Sequence, residues 1–375
     1  MIETPDQGSP IGWGILIKED LNPDGTGGRS LTIREARITP LGYGELKAAR
    51  LHEPISVPLQ ILNAIPVQTD FADFGEDDRV TINTTLQSHF SAEAIGLVAG
   101  GWIPAGFAAL DHRTTVLIDR NILSVIEGRF KDGQIAPDRE DFLDFFAQYP
   151  VRLNPLLCVM EGNAKRAPTR EEMSAELAKI SAKLASALPQ SQIVAGSESV
   201  CATLGLVEDS WRSAKASQAF LLQVAPDLRA PIGRARLPSV WANVVESARR
   251  HGVRQNSLVL LAVLSAIAVP NGLSPAKSIF KFRSGYDASD AYGALADLRA
   301  LEVLCAVLAL FPDNPAQFCT GDRALALFWT GIRASGFEYT GASYRFDLSP
   351  VEHLLPGETM AWWLALLNDA DPFDP

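Results

Sequence analysis

TTVLIDRNIL, residues 114–123, decides the fold of this 375-residue chain. Thr114-Thr115-Val116-Leu117-Ile118 is a short, continuous, β-branched run with no alternation of apolar and polar positions. A strand of that kind is buried on both faces, as strands of parallel sheets are. It stops at Asp119-Arg120-Asn121, and ILSVIEGRF then turns helical. A carboxylate at the end of a buried strand is costly unless it is paired or metal-bound.

Three more acids share this placement. Pro155 suits a first helical turn and opens LLCVMEGN, which carries Glu161. Asp297 opens the apolar stretch LRALEVLCAVLAL on a long helix expected from Asp290 to Leu310, where Asp287, Asp290 and Glu302 are its rivals. The short strand AQFCT (316–320) ends at Gly321-Asp322, and RALALFW follows. Four such carboxylates suggest a site that gathers negative charge to hold a hard cation, Mg²⁺ or Mn²⁺. Asp119 and Asp322 have a simpler reading as helix caps, and Glu161 as an exposed helix residue. Asn121 and Thr320 are candidate phosphate or supporting contacts, with turn or cap roles as the alternative. Arg120 and Arg323 sit beside two of the acids, where they meet substrate phosphates or are solvated surface groups.

Composition narrows the class. The chain is 47% hydrophobic and 21% charged, ordinary for a globular protein, with a net charge of −11. That balance argues against broad nonspecific nucleic-acid binding, though a nuclease with catalytic acids and a locally basic groove is compatible with it. The basic clusters Lys165-Arg166-Arg170, Arg234-Arg236 and Arg249-Arg250-Arg254 would supply such a groove or simply solvated helix faces. Cys158, Cys201, Cys305 and Cys319 lie far apart without zinc spacing, and the five histidines form no cluster. The longest apolar stretch, Leu258–Val269, stops at Pro270, short of the roughly 20 residues of a membrane span, and being apolar all round it reads as a buried core helix. MIETPDQGSP has no signal-like pattern, so a cytoplasmic protein without membrane contact is expected.

Along the chain, residues 1–110 read as an α+β module. Strands are expected in GWGILIKE (11–18), SLTIREARI (30–38), ISVPLQILNAIPV (55–67) and RVTINTTL (79–86), with a turn at NPDGTGG (22–28). AEAIGLVAGGWIPAGF (92–107) reads as a helix ending at its glycine pair. Asp138 is expected to cap a helix through DREDFLDFFAQY, and Thr169-Arg170-Glu171-Glu172 is a capping box before an amphipathic helix. Residues 190–290 read as mostly helical, and Ser349-Pro350-Val351-Glu352 as a last capping box before a tryptophan-bearing helix at Met360–Leu367. Strands alternating with helices imply a parallel, doubly wound α/β sheet.

The ordered set Val116-Leu117-Ile118-Asp119, Pro155 to Glu161, Asp297-Leu298-Arg299-Ala300 and Thr320-Gly321-Asp322-Arg323-Ala324-Leu325 resembles the PIN domain nucleases over residues 114–162 and 290–333. The resemblance implies a three-layer α/β/α sandwich at 111–335, with catalytic, metal-holding acids at Asp119, Glu161, Asp297 and Asp322. It implies Mg²⁺- or Mn²⁺-dependent endonuclease activity, an endoribonuclease acting on RNA with DNA as a possible substrate. Water would attack in line, without a covalent enzyme intermediate. The chain departs from compact PIN domains through the N-terminal module, a helical insertion at about 165–288 and a helical tail at 336–375. The module and the insertion are candidate surfaces for a protein partner. Haloacid dehalogenase-type phosphatases also begin with a strand-end Asp, but they want a second Asp where this chain has Asn121, and an acid pair after the late Gly-Asp. A third reading keeps the PIN-like fold as a catalytically silent interaction module.

Overall fold

The computed structural model describes residues 2–3, 15–18, 22, 27–34, 36–71, 78–135, 140–161, 166, 168–194, 197–270, 272–341 and 343–368. The chain is a mixed α/β protein built on a six-stranded sheet. Its strands lie in the order Gln192–Ile193, Arg152–Asn154, Thr115–Ile118, Ala316–Thr320, Ile95–Val98, Gly101–Pro104. The first four are parallel, and the last two continue the sheet antiparallel.

The expected central strand forms at Thr115–Ile118, with Val116, Leu117 and Ile118 fully buried. Its neighbour Ala316–Thr320 is buried at every position. From Thr115–Ile118 the chain moves outward through Arg152–Asn154 to Gln192–Ile193, then returns to the opposite side with Ala316–Thr320. That reversal makes the gap beyond the carboxyl ends of Thr115–Ile118 and Ala316–Thr320 a topological switch point, where open α/β sheets place their ligands.

Several expectations are corrected. Residues 92–104 form no helix, and a 3₁₀ helix at Ala105–Leu110 follows them. Ile95–Val98 and Gly101–Pro104 pair as a hairpin through Ala99-Gly100, with Gly100 at φ 83°. Gly101 explains the choice: a Cβ there would lie 2.1 Å from the Leu41 carbonyl oxygen, and Leu41 exchanges two backbone hydrogen bonds with Trp102. Close backbone packing thus overrides a composition suited to a helix. The hairpin belongs to the central sheet, so the boundary expected at residue 110 falls beyond strands already in that sheet. The expected insertion at 165–288 likewise contains a sheet strand, Gln192–Ile193, reached through the helix Arg170–Ala187. Only the helices after it, Ser197–Leu228, Leu237–His251, Leu258–Ala268 and Pro275–Phe280, lie between successive sheet strands as an added block.

Asp138 lies outside the described residues. The cap there is Asp141, whose carboxylate accepts from the Leu143 amide ahead of the short helical turns Phe142–Asp144 and Phe145–Gln148. Ser349–Glu352 opens no helix: Ser349 and Val351 donate backbone hydrogen bonds to Ile332 and Gly331, and the last helix begins at Glu358. The tail also starts with a hairpin, Ser335–Tyr339 with Tyr344–Asp347, packed on the helix Ala288–Leu310.

Other readings hold. The N-terminal strands Ile15–Lys18, Ser30–Arg34, Ser56–Thr69 and Val80–Gln87 join in a separate antiparallel sheet. Along Ser56–Thr69 burial alternates until Asn63, at φ 54°, marks an irregularity in register. Thr169 and Glu172 form the expected capping box of Arg170–Ala187, which buries Met173, Ile180 and Leu184. Leu258–Ala268 is the expected all-apolar core helix, buried from Leu258 to Ile267. Each of its large apolar side chains contributes roughly 1.5–3 kcal/mol on removal from water. Cys158, Cys305 and Cys319 are buried thiols. Among the described residues no helix is long and apolar enough to cross a membrane.

Candidate active site

Asp119 follows the central strand and caps the helix Arg120–Arg129. One carboxylate oxygen accepts from the Ile122 amide at 2.7 Å, the other from Thr320 Oγ1 at 2.6 Å. Asp322 follows the neighbouring strand and caps Arg323–Ile332. One of its oxygens accepts from the amides of Ala324 (2.7 Å) and Leu325 (3.0 Å). The fully buried Thr320 joins the two, because its hydroxyl also accepts from the Asp322 amide at 3.0 Å. Capping is therefore real at both acids and occupies only part of each carboxylate's acceptor capacity.

Glu161 ends the helix Leu156–Glu161, which starts after Asn154 Oδ1 accepts from the Leu156 amide. Its side chain is half-exposed at the rim, with Arg120 Nε 3.7 Å away. Asp297 comes from the long helix Ala288–Leu310. Tyr292, a turn earlier, docks that helix by donating its hydroxyl to the carbonyls of Glu161 (2.7 Å) and Arg166 (3.0 Å). The rival acids on this helix are employed elsewhere. Asp287 and Asp290 make its capping box, and Asp290 pairs with Arg283 at 2.8 Å. Glu302 feels the charges of Arg299 and Arg254.

All four candidate acids line one cavity, together with Asn121, Leu157, Met160, Arg299 and Phe318. The electrostatics reflect this gathering. Burial pushes the Asp119 carboxyl up to about 6, against the hydrogen bonds from Thr320 and Ile122, and the charges of Glu161 and Asp322 add to the rise. Burial followed by repulsion from Asp322 and Glu161 takes Asp297 up to about 7, while Lys281 opposes it. No hydrogen bond to the Asp297 carboxylate forms among the described residues. Burial raises Glu161 as well, against the pull of Arg120.

The flanking arginines are engaged structurally. Arg120 donates to the Cys158 carbonyl at 2.7 Å and faces both Glu161 and Glu176. Arg323 turns away and donates to the carbonyls of Leu46 and Lys47, tying the short helix Tyr43–Ala48 to the site's scaffold. Two groups escaped the sequence reading: Glu176, which shares Arg120, and Arg299, which lines the cavity although 8% exposed. A lone cation inside the apolar ALADLRALEVL was the available signal for Arg299.

Among the described residues no three His, Cys, Asp or Glu side chains stand close enough together to hold an ion unaided. The donor set nevertheless suits Mg²⁺ or Mn²⁺: all-oxygen, partly desolvated and mutually repelling. Such ions need one or two carboxylates, with waters and substrate phosphate completing the shell. Comparison with family models, curated proteins and solved structures finds no match to this chain.

Proposed function

We propose that the chain is a metal-dependent endonuclease of PIN type, acting on RNA, with its switch-point sheet as the core of a three-layer PIN-like arrangement. One observation carries the reading: four carboxylates from four separate elements line a single cavity at the carboxyl ends of adjacent parallel strands. Clustering four acids raises proton affinities, and in a folded protein that cost is ordinarily offset by a cation.

Asp119 and Asp322 are the principal holders of Mg²⁺ or Mn²⁺, with Glu161 and Asp297 completing the negative field. The ion, when bound, activates water and neutralises charge on the phosphate. Thr320 fixes the orientation of Asp119 and, through the Asp322 amide, its spacing from the second strand end. Arg120 restrains Glu161 at the rim, and the apolar walls of Leu157, Met160 and Phe318 limit water around the acids.

The test is cleavage of a labelled single-stranded RNA with Mn²⁺ and with chelator. Metal-stimulated cleavage that disappears in Asp119→Asn and Asp322→Asn, with unchanged circular dichroism, is expected. Cleavage surviving both substitutions overturns the proposal, and absence of divalent-ion binding favours an interaction module.

A further inference from the structure

Beside the carboxylate cavity lies a second cleft of opposite chemistry. Its polar lining is Arg229, Ser274, Lys277, Ser278 and Lys281, with no acidic residue. Four of these five groups lie on or next to the helix Pro275–Phe280. That helix packs against both Ala288–Leu310 and Arg323–Ile332, the helices that carry Asp297 and follow Asp322. Lys281 is its C-cap, lines the basic cleft, and acts electrostatically on Asp297, so its charge is felt at both sites.

Lys281 holds φ 52°, a left-handed conformation that Gly or Asn adopts at less cost. The position therefore keeps a cation where the backbone alone favours another residue. Arg229 anchors its Nε on the Pro226 carbonyl at 3.1 Å, and the rest of its guanidinium remains available. In a chain of net charge −11, three cations line this cleft with no acidic residue among its described lining residues, so the sign is reversed locally. A polyanion repelled by the four acids is drawn to that cleft.

We propose that this cleft binds a backbone phosphate of the same RNA strand whose scissile phosphate sits at Asp119, Glu161, Asp297 and Asp322. The assignment rests on the nuclease reading above. Cations and hydroxyls without base-reading groups specify phosphate rather than sequence, so the cleft positions the strand and sets affinity.

The experiment compares the full-length protein with the double variant Arg229→Gln/Lys277→Gln on two substrates in Mn²⁺. One is a 12-nucleotide single-stranded RNA; the other is a dinucleoside monophosphate, whose single phosphate cannot occupy both sites. For this double variant, which leaves Lys281 beside Asp297 in place, KM for the 12-mer is expected to rise about tenfold while dinucleotide cleavage is unchanged. The salt dependence of 12-mer binding should weaken by about 0.7 in log–log slope for each phosphate no longer neutralised. Arg229→Lys/Lys277→Arg should restore both values. Arg229 is exposed and Lys277 half-buried, and unchanged circular dichroism checks that folding is preserved. Fluorescence anisotropy of the 12-mer separates the two claims. Binding weakened in the double variant, with no cleavage by any form, upholds the cleft and overturns the nuclease. Cleavage with unchanged KM and salt slope overturns the cleft and leaves the nuclease standing. No binding by the unmodified protein overturns both.

Discussion

Thr320 Oγ1 donates a 2.6 Å hydrogen bond to Asp119 Oδ2 across 201 positions of sequence. This bond links the ends of two adjacent parallel strands and lowers the proton affinity that burial has raised at Asp119. Thr320→Val removes it. A hydrogen bond to a charged group is worth about 1.5–3 kcal/mol, or about one to two pKa units. The acidic limb of the pH–rate profile is expected to move up by that amount, with Thr320→Ser close to the unmodified protein. An unmoved limb in Thr320→Val shows that Asp119 does not control it.

The acids also predict an inverted pH dependence of stability. The folded-state carboxyls of Asp119 and Asp297 titrate at about 6 and about 7, above their ordinary value, so the native state binds more protons than the unfolded chain. Their contribution is fully present below about pH 4 and is lost as pH rises through 6 and 7. Taken singly, each accounts for on the order of 3–4 kcal/mol. Chemical denaturation in chelator should therefore give a larger unfolding free energy at pH 5 than at pH 8. Asp297→Asn should flatten the difference, whereas a stability that rises from pH 5 to pH 8 contradicts the assignment.

Divalent ions should reverse that loss. At pH 8, Mn²⁺ at a hundredfold excess over its dissociation constant stabilises the native state by about 2.7 kcal/mol. A thermal scan should show a raised Tm for the unmodified protein and none for Asp119→Asn/Asp322→Asn. Equal shifts in both place the ion elsewhere.

Backbone proximity sets a separate test of the scaffold. A Cβ at Gly106 would lie 1.8 Å from the Phe142 carbonyl oxygen, whereas one at Gly44 meets nothing within 4 Å. Gly106→Ala is expected to cost more than about 2 kcal/mol. Gly44→Ala, inside the helix Tyr43–Ala48, should stabilise by about 0.4–1 kcal/mol. Comparable Tm values for the two variants contradict the packing of Gly106 against Phe142.

The central strand, the core helix Leu258–Ala268 and the cap at Thr169 are legible in sequence because each is written in local periodicity and short-range hydrogen bonding. Residues 92–107 read as a helix, and Ile95–Pro104 within them folds as a hairpin because the Leu41–Trp102 backbone pairing, which excludes a side chain at Gly101, is not local. The capping pattern at Ser349–Glu352 starts no helix for a similar reason: the amides of Ser349 and Val351 are taken by the carbonyls of Ile332 and Gly331.

At the site, sequence by itself determined which carboxylates follow buried strands and begin helices, since burial pattern and capping chemistry are local properties. Tertiary structure decided the rest. It brought Asp297 to the cavity, whereas Arg283 and the capping box hold Asp290 at the helix start. It turned Arg323 onto the helix Tyr43–Ala48. It set Lys281 in the basic cleft with its charge felt at Asp297. Direction of a side chain, and the charge it meets, depend on packing between segments far apart in the chain, and no local pattern encodes that.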